Sequence, residues 1–250
     1  MAAVRLRWLS QGMADVPLDD AWLSPREAAW VARMRFPKRR SEFRLGRWTA
    51  KRALALCLGH GQSAEELRAI EIDRAADGAP APLVDGRPAD AYVTMTDRAD
   101  QAVCLVGPPG RALGCDLELV EPRSDAFVAD FLTTSEQGLV AAAAGGDARD
   151  LLANLVWCGK ESALKVLRTG LRRDTRSVEV AFPGGPAVDG WSPLSVRAAE
   201  GAVFPGWWQR FGVFVLTVAA TEPLAPPRPL VEPPGLATAV PAHSWLSTRE

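Results

Sequence analysis

The stretch WCGKESALKVLRTG, Trp157 to Gly170, decides how this chain of 250 residues is interpreted. It closes a longer helical pattern whose apolar positions recur at the spacing of one helix face: Leu152, Val156, Ala163 and Leu167. Glu161 and Lys165 are four residues apart and therefore share another face, one turn from each other. Such a pair is common on solvated helices, where it contributes only about 0.2–0.5 kcal/mol. A functional interpretation needs support from elsewhere in the chain.

That support comes from the acidic strand pattern GCDLEL, Gly114 to Leu119. Apolar residues fill one face of the pattern and of the position just before it: Leu113, Cys115, Leu117 and Leu119. Asp116 and Glu118 occupy the other face, because side chains two positions apart on a strand point the same way. An exposed amphipathic edge strand has the same pattern, so the two carboxylates alone indicate a metal site only weakly.

Composition narrows the function classes. With 48% hydrophobic and 24% charged residues, the chain reads as globular, in one domain or two small ones. A formal net charge of -1 provides no global field for nucleic acid or an anionic membrane. No apolar run is long enough to cross a bilayer and no signal pattern opens the chain, which predicts a cytoplasmic protein. The four cysteines lack CxxC spacing and are expected to be buried thiols rather than zinc ligands.

The N-terminal third combines a strand pattern with a basic helix. VRLRWL alternates Val4, Leu6 and Trp8 with arginines, and Ser24-Pro25-Arg26-Glu27 is typical of a helix start. A long helix is then predicted from Phe36 to Gly59, with a dense set of cations: Lys38, Arg39, Arg40, Arg44, Arg47, Lys51 and Arg52. Helical spacing puts Arg40, Arg44, Arg47 and Lys51 on one side. This side is either a solvated basic face or a cradle for a phosphate-rich ligand.

The remaining patterns predict alternating strands and helices. RAIEID is a strand, and AYVTMT and QAVCLVG form a hairpin around a four-residue turn, Asp97 to Asp100. Thr133-Thr134-Ser135-Glu136 fits a capping box, which gives Glu136 a structural role. Three further strands follow (SVEVAF, LSVRAA and VFVLTVAA), and from Glu222 a Pro-rich stretch excludes regular helix or sheet. This tail is expected either to wrap the surface or to be disordered.

The element order predicts an α+β protein of two similar halves, although their sequence similarity is too faint to prove a duplication. The expected divisions are an N-terminal half with the basic helix at residues 1–110, a C-terminal half with the acidic strand and the 157–170 helix at residues 111–222, and a Pro-rich tail at residues 223–250.

Three blocks together resemble the Sfp-type 4'-phosphopantetheinyl transferases. LGCDLE, Leu113 to Glu118, is similar to the family's glycine-x-aspartate-x-glutamate strand. WCGKESALK, Trp157 to Lys165, is similar to its tryptophan-x-x-lysine-glutamate-serine helix, and RTGL follows. FPKRRSEFRLGRWTAKRAL resembles its N-terminal basic helix. The similarity extends from about Ser24 to Ala220 and is specific because the blocks occur in the family's order.

The resemblance implies a fold and a reaction. The fold would be a pseudo-dimer of two α/β halves with coenzyme A between them, in a monomer that serves an acyl or peptidyl carrier protein of secondary metabolism. Asp116, Glu118 and Glu161 would hold Mg²⁺, a hard cation that prefers carboxylate and phosphate oxygens. Lys165 would contact the phosphates and assist departure of 3',5'-ADP, and Glu136 would be a candidate base. The family likeness also implies coenzyme A contacts from Arg44, Arg47, Lys51, Thr96 and Asp97.

One departure from the family pattern concerns the phosphates. The family's first hairpin usually carries serine-histidine, whereas this chain has Thr96-Asp97. A carboxylate there would repel a pyrophosphate. The glycine-lysine-proline turn of some relatives also appears without its cation, as Gly78-Ala79-Pro80. Two alternatives to the transferase therefore stay open: an enzyme of the same fold with an altered ligand or chemistry, and a non-catalytic binder of carrier proteins or coenzyme A.

Overall fold

A computed structural model describes residues 6–244 of the chain. It contains two compact units, Met1–Gly110 with Pro227–Val240, and Arg111–Pro226 with Pro241–Glu250. Both units combine helices with antiparallel sheet, which confirms the α+β prediction. No helix among the described residues has the length and apolarity needed to span a membrane. The four cysteines are free thiols, three of them buried.

Unit 1 places a long helix against a small sheet. Its elements in chain order are β1 (Arg7–Gly12), α1 (Pro25–Arg33), α2 (Pro37–Leu58), α3 (Ala64–Arg68), β2 (Ile70–Arg74), β3 (Pro80–Val84), β4 (Arg87–Pro88), β5 (Tyr92–Arg98) and β6 (Gln101–Gly107). A short 3₁₀ segment, Met13–Asp15, follows β1. β1 pairs with β6 and β6 with β5, while β2, β3 and β4 form a separate sheet. The predicted long helix is confirmed, and it ends where Gly59 takes the left-handed conformation, φ 72°.

The hairpin of unit 1 corrects one sequence prediction. Its turn contains two residues, Ala99 and Asp100, rather than four, and both have positive φ (51° and 62°). Two left-handed residues in sequence are typical of a type I′ turn, whose twist matches that of the flanking strands. Asp97 therefore lies within β5, opposite Ala102. Val4 of the predicted first strand lies outside the described residues, and β1 begins at Arg7.

The Pro-rich segment packs along β1. Residues Arg228–Pro229 form a two-residue strand, β12, parallel to β1, although the proline content predicted no regular structure. Leu230 N donates to Trp8 O at 2.8 Å, and Leu236 N donates to Ser10 Oγ at 2.9 Å. Leu236, in the 3₁₀ turn Gly235–Thr238, is buried. The tail was expected either to wrap the surface or to be disordered, and these contacts show that its described part packs along the surface of unit 1.

Unit 2 has one continuous sheet with a buried helix across it. The elements are β7 (Leu113–Leu119), α4 (Asp125–Phe131), α5 (Thr134–Ala142), α6 (Asp147–Val166), β8 (Val178–Ala181), β9 (Ser192–Ala198), β10 (Val203–Phe211) and β11 (Phe214–Ala220). Short 3₁₀ segments, Gly170–Arg172 and Thr175–Ser177, separate α6 from β8. The strand order is β7-β11-β10-β9-β8, and α6 packs on β7 and β11.

The two units repeat one buried ion pair. In unit 1, Glu27 at the third position of α1 pairs with Lys51 of α2. In unit 2, Glu136 at the third position of α5 pairs with Lys160 of α6, Oε2 to Nζ 2.6 Å. Lys51 and Lys160 each follow their glutamate by the same number of positions.

The environments of these two pairs also match. Glu27 Oε1 accepts from Ile72 N on β2, at 3.1 Å, and Glu136 Oε1 accepts from Val180 N on β8, at 2.7 Å. Trp48 and Trp157 stand three positions before the paired lysines. Strand pairing agrees as well, because β1 pairs with β6 as β7 pairs with β11. The two units therefore share one construction, which the sequence patterns had suggested only faintly.

Candidate functional site

The acidic strand and the 157–170 helix meet at a very close contact in unit 2. A Cβ added to Gly114 would lie 1.9 Å from the backbone oxygen of Ser162, so only glycine permits α6 to approach β7 this closely. The Ser162 hydroxyl is 2.7 Å from Thr217 Oγ1 on β11, which ties the helix to the sheet. This packing brings Asp116 and Glu118 to the side of β7 that faces α6.

Asp116 forms an ion pair with Lys165. The Lys165 ammonium donates to Asp116 Oδ1 and to the Cys115 carbonyl oxygen, each at 2.8 Å. Burial alone would lower the pKa of Lys165, but the charges of Asp116 and Glu161 outweigh burial and raise it above the ordinary value. Lys165 is therefore a permanent positive charge at neutral pH, and 28% of its side chain is exposed.

Glu118 is held by two donors from neighbouring elements. Trp157 Nε1 donates to Glu118 Oε1 at 2.9 Å, and an Arg123 Nη donates to Oε2 at 3.0 Å. The Trp157 ring packs edge-on against Phe127 and Phe131 of α4, with centroids 5.2 Å apart in both cases. The sequence identified Trp157 as part of a motif without assigning it a contact, and it missed Arg123. The spacing of Trp157 one turn before Glu161 was the available signal for the former.

Glu161 differs from the other two carboxylates in having no counterion of its own among the described residues. No hydrogen bond or ion pair to its carboxylate is formed by any residue from 6 to 244. Burial, followed by the charges of Asp116 and Glu118, raises the pKa of Glu161 to about 7, and Lys165 offsets this only partly. A partly buried carboxylate facing two others is electrostatically unfavourable unless a proton or a cation joins it.

The donor set fits a hard cation, although the described part of the chain contains no preformed metal site. Among residues 6–244, no group of three or more His, Cys, Asp or Glu side chains has the arrangement of a metal centre. Lys165 and Arg123 neutralise Asp116 and Glu118 here, and Glu161 retains the excess charge. Carboxylate oxygens are nevertheless the donors that Mg²⁺ takes from proteins, and Asp116 and Glu118 lie near enough to Glu161 for their charges to raise its pKa. The chemistry of these residues fits Mg²⁺, and its binding stays a prediction.

Glu136 lies inside unit 2, away from solvent. Its side chain is fully buried, and besides Lys160 and Val180 it accepts from Thr133 N, at 2.7 Å. Lys160 in turn donates to the carbonyl oxygens of Thr175 and Val178. These contacts describe the capping role that the sequence assigned. They argue against a base that must reach a substrate, because both carboxylate oxygens are already engaged.

The three residues of α2 that were predicted to contact coenzyme A lie in different environments in the structure. The sequence predicted Lys51 on a side of α2 that is either a solvated basic face or a phosphate cradle. The structure corrects this, because the Lys51 side chain is fully buried and donates to Trp22 O besides pairing with Glu27. Arg44 pairs with Asp20 at 2.8 Å and donates to backbone carbonyls of the segment before α1. Through these contacts, Arg44 holds the segment before α1 in place.

Arg47 lines a cavity of about 360 Å³ in unit 1. Five arginines contribute to its wall, together with aromatic and acidic side chains: Arg26, Arg33, Arg39, Arg47 and Arg74. Arg47 Nε is buried and donates no hydrogen bond to any described residue. The nearest carboxylate oxygen in an ion pair with it, Glu27 Oε1, is 3.6 Å away. Burial lowers the pKa of Arg47, and Glu27 opposes this change. The wall of this cavity therefore contains a buried guanidinium with an N–H group that is available to a ligand.

Thr96 and Asp97 alternate along β5. Thr96 is buried and Asp97 is exposed, as expected for neighbouring strand residues. Both have interaction partners. Their assignment to coenzyme A stays a prediction.

The comparison with known families matches the part of the chain that carries the acidic site. Residues 112–194 match the model of the 4'-phosphopantetheinyl transferase superfamily. The matched segment includes all of β7 and α6, and the resemblance predicted from the sequence is confirmed at this level. No curated protein matches the chain.

Proposed function

We propose that this chain, whose residues 112–194 match the model of the 4'-phosphopantetheinyl transferase superfamily, moves the phosphopantetheine group of coenzyme A to a serine of a carrier protein in a Mg²⁺-dependent reaction. The superfamily match implies phosphopantetheine transfer in general. The observation that supports the specific reaction is the group formed by Asp116, Glu118 and Glu161 beside Lys165. A protein that only binds has no need for three mutually repelling carboxylates in a partly buried place.

Asp116, Glu118 and Glu161 would hold the metal ion. When bound, Mg²⁺ supplies positive charge to the pyrophosphate oxygens of coenzyme A. Lys165 contributes a second positive charge, and its raised pKa means that it stabilises the departing 3',5'-ADP electrostatically rather than by giving up a proton. Trp157 and Arg123 fix the orientation of Glu118, so these two side chains are positioning residues.

Glu161 serves as a metal ligand rather than as the base for the serine proton. Its pKa of about 7 applies to the protein without a cation, and Mg²⁺ held by this carboxylate would lower that pKa. Glu136 was the base implied by the resemblance. Its enclosed position and its pairing with Lys160 favour the capping role instead.

The arginine-lined cavity of unit 1 supports binding of an anionic ligand such as coenzyme A. Arg47 provides the buried guanidinium, and guanidinium forks match phosphate oxygens. Arg44 and Lys51 are engaged inside the unit, so Arg47 carries most of this prediction. We expect the enzyme to act as a cytoplasmic monomer on acyl or peptidyl carrier proteins of secondary metabolism.

One experiment tests the reaction. The purified protein is incubated with Mg²⁺, coenzyme A and an apo carrier protein, and the carrier is weighed by mass spectrometry. We expect a phosphopantetheine adduct that Glu161→Ala reduces by about 100-fold or more, and that Glu65→Ala, an exposed glutamate of α3, leaves unchanged. Omitting Mg²⁺ should also remove the adduct.

The same experiment separates the alternatives. Coenzyme A binding without an adduct on several carriers would identify a non-catalytic binder. Absence of coenzyme A binding would point to an enzyme with a different ligand, for which Asp97 would be the signature.

A further inference from the structure

The shared construction of the two units identifies the unit 1 counterpart of the acidic site. In both units the strand that opens the unit pairs with the second strand of a hairpin that has a two-residue turn. Gly12 of β1 pairs with Gln101, the first residue after one turn, and Leu119 of β7 pairs with Phe214, the first after the other. Counting back from these positions, Gln11 corresponds to Glu118.

The same alignment extends to the remaining acidic positions. Leu9 corresponds to Asp116, two residues earlier on the strand. On the helices, Arg52 follows the buried Lys51 as Glu161 follows the buried Lys160. Two carboxylates of unit 2 are therefore replaced by a neutral amide and an aliphatic side chain in unit 1, and the third by a guanidinium. The charge of the site is reversed.

These counterpart residues line a cavity. A cavity of about 190 Å³ lies beside β1, with Gln11 and Arg52 in its wall. The Pro-rich segment closes another side through Pro229, Val231 and Pro234. It is separate from the larger cavity that Arg47 lines, because the two share no lining residue.

Two polar side chains in the wall of this cavity can form further hydrogen bonds. Gln11 is 4% exposed, and its buried Oε1 accepts no hydrogen bond from any described residue. Arg52 donates through Nε to Gln62 Oε1 at 2.9 Å, which orients the guanidinium, and no carboxylate in residues 6–244 pairs with it. Asp15, the acidic residue of the wall, is held by Gly12 N at 2.8 Å.

The comparison with the same positions in unit 2 also indicates that the cavity beside β1 binds a ligand. Trp157 Nε1 donates to Glu118 in unit 2, whereas the counterparts Trp48 Nε1 and Gln11 Oε1 are both buried and both lack a partner within the described part of the chain. A buried polar atom without a hydrogen bond costs about 1–3 kcal/mol. A guest that accepts from Arg52 and donates to Gln11 would recover part of that cost.

We propose that this cavity is a second ligand site, which binds a small oxyanion carrying a hydroxyl group, of the hydrogen phosphate class. The guanidinium of Arg52 contacts two oxygens of the anion, and the hydroxyl of the anion donates to Gln11 Oε1. The same guanidinium excludes the metal cation expected at the corresponding place in unit 2. The cavity is large enough for one phosphate group and too small for coenzyme A.

A site-resolved titration tests this. The full-length protein, labelled with ¹⁵N, is titrated with sodium phosphate at constant ionic strength, and the Arg52 Nε–H resonance, assigned by its loss in Arg52→Lys, is followed by NMR. We expect a saturable shift with phosphate. The dissociation constant should rise about tenfold in Gln11→Met, which keeps the side-chain volume but has no acceptor. Sulfate, which carries no hydroxyl at neutral pH, should bind as weakly to the native protein as phosphate binds to Gln11→Met.

Controls separate this site from other anion sites. Arg68→Gln removes an exposed charge from the same unit and should leave the dissociation constant unchanged. Arg47→Gln should leave it unchanged as well, because Arg47 lines the other cavity. The proposal is overturned if the Arg52 resonance does not move, if sulfate binds as tightly as phosphate, or if Gln11→Met binds like the native protein while circular dichroism shows both to be folded.

Discussion

Unit 1 and unit 2 share a skeleton, defined as a buried glutamate–lysine ion pair and a nearby tryptophan, but differ in the side chains that surround it. Each unit buries a glutamate–lysine pair between a capped helix and a long helix, and each places a tryptophan one turn before the lysine. Around that skeleton, unit 2 carries Asp116, Glu118 and Glu161, and the corresponding places of unit 1 carry Leu9, Gln11 and Arg52.

This difference separates the residues that maintain the fold from those that carry the chemistry. A buried ion pair satisfied by backbone partners specifies how one helix meets another and tolerates little change. The residues that follow the paired lysines on the helices, Arg52 and Glu161, are only partly buried and differ in the sign of their charge. The KES sequence in unit 2 therefore contains both kinds: Lys160 and Ser162 are fully buried, and Glu161 between them is partly exposed.

The largest expected effect comes from breaking one buried pair. Lys160→Met should lower the free energy of unfolding by about 3–5 kcal/mol, because it leaves Glu136 charged and fully buried. Lys51→Met should cost less, since Arg47 Nε is 3.6 Å from Glu27 and remains as a nearby cation. Urea denaturation followed by circular dichroism measures both values.

A double variant controls for the charge. Glu136→Gln combined with Lys160→Met removes both charges and keeps a side chain able to cap α5, so it should recover part of the loss. Equal costs for Lys51→Met and Lys160→Met would contradict the difference that we assign to Arg47.

The sequence could predict the acidic site better than its surroundings. Asp116, Glu118 and Lys165 were identifiable because strand and helix periodicity fixes which side chains share a face. The burial of Lys51 could not be read from α2, since a cation at helical spacing looks the same whether it faces water or a buried glutamate. The signal that would have revealed it is the repeated tryptophan-x-x-lysine, Trp48 to Lys51 and Trp157 to Lys160, each preceded by a capping-box glutamate.

The two-residue hairpin turn and the strand formed by the tail depend on tertiary contacts. Ala99 is not typical of positive φ, whereas Asp100 tolerates it, and hydrogen bonds along the paired strands hold both residues there. The Pro-rich segment lacks many N–H donors, yet Arg228 and Leu230 supply the two that β1 needs. Composition alone cannot indicate that such an edge is available.

Neutralising Glu161 should stabilise the metal-free protein at alkaline pH. Its folded pKa of about 7 lies above the ordinary value of 4.5, so the folded state binds this proton more tightly than the unfolded state. Stability from this group is complete below about pH 4.5 and is lost as the pH rises through 7. Glu161→Gln removes the loss, which gives a gain of at most about 3 kcal/mol at pH 8. Thermal unfolding in EDTA at pH 5 and pH 8 measures the difference.

The gain should shrink at pH 5, where Glu161 is already protonated in the folded protein. Arg52→Gln at the corresponding place in unit 1 provides the comparison, because it removes no carboxylate and should show no such pH dependence. A gain for Glu161→Gln that is the same at both pH values would mean that neither burial nor the charges of Asp116 and Glu118 raise the pKa of Glu161.

Adding a methyl group at the strand–helix contact should separate the two acidic elements. Gly114→Ala introduces a Cβ that would lie 1.9 Å from the Ser162 oxygen, so α6 must move away from β7. We expect a destabilisation of about 1–3 kcal/mol and a loss of transfer activity. Gly138→Ala, in the exposed face of α5 with no atom within 4 Å of the new Cβ, is the control and should be neutral or slightly stabilising. Full activity in Gly114→Ala would mean that the reaction does not require this packing.

The smallest expected effect concerns Asp97 in unit 1, the position where the family resemblance predicts a histidine. Asp97→His removes a negative charge from an exposed strand position and adds a hydrogen-bond donor, so coenzyme A should bind about two- to tenfold more tightly if this side chain faces the phosphates. Asp90→His makes the same charge change elsewhere on the surface of the unit and should have no effect. Isothermal titration calorimetry with coenzyme A measures both. Unchanged or weaker binding by Asp97→His would show that Asp97 points away from the ligand, and the reversed charge at this position would then have no consequence for coenzyme A binding.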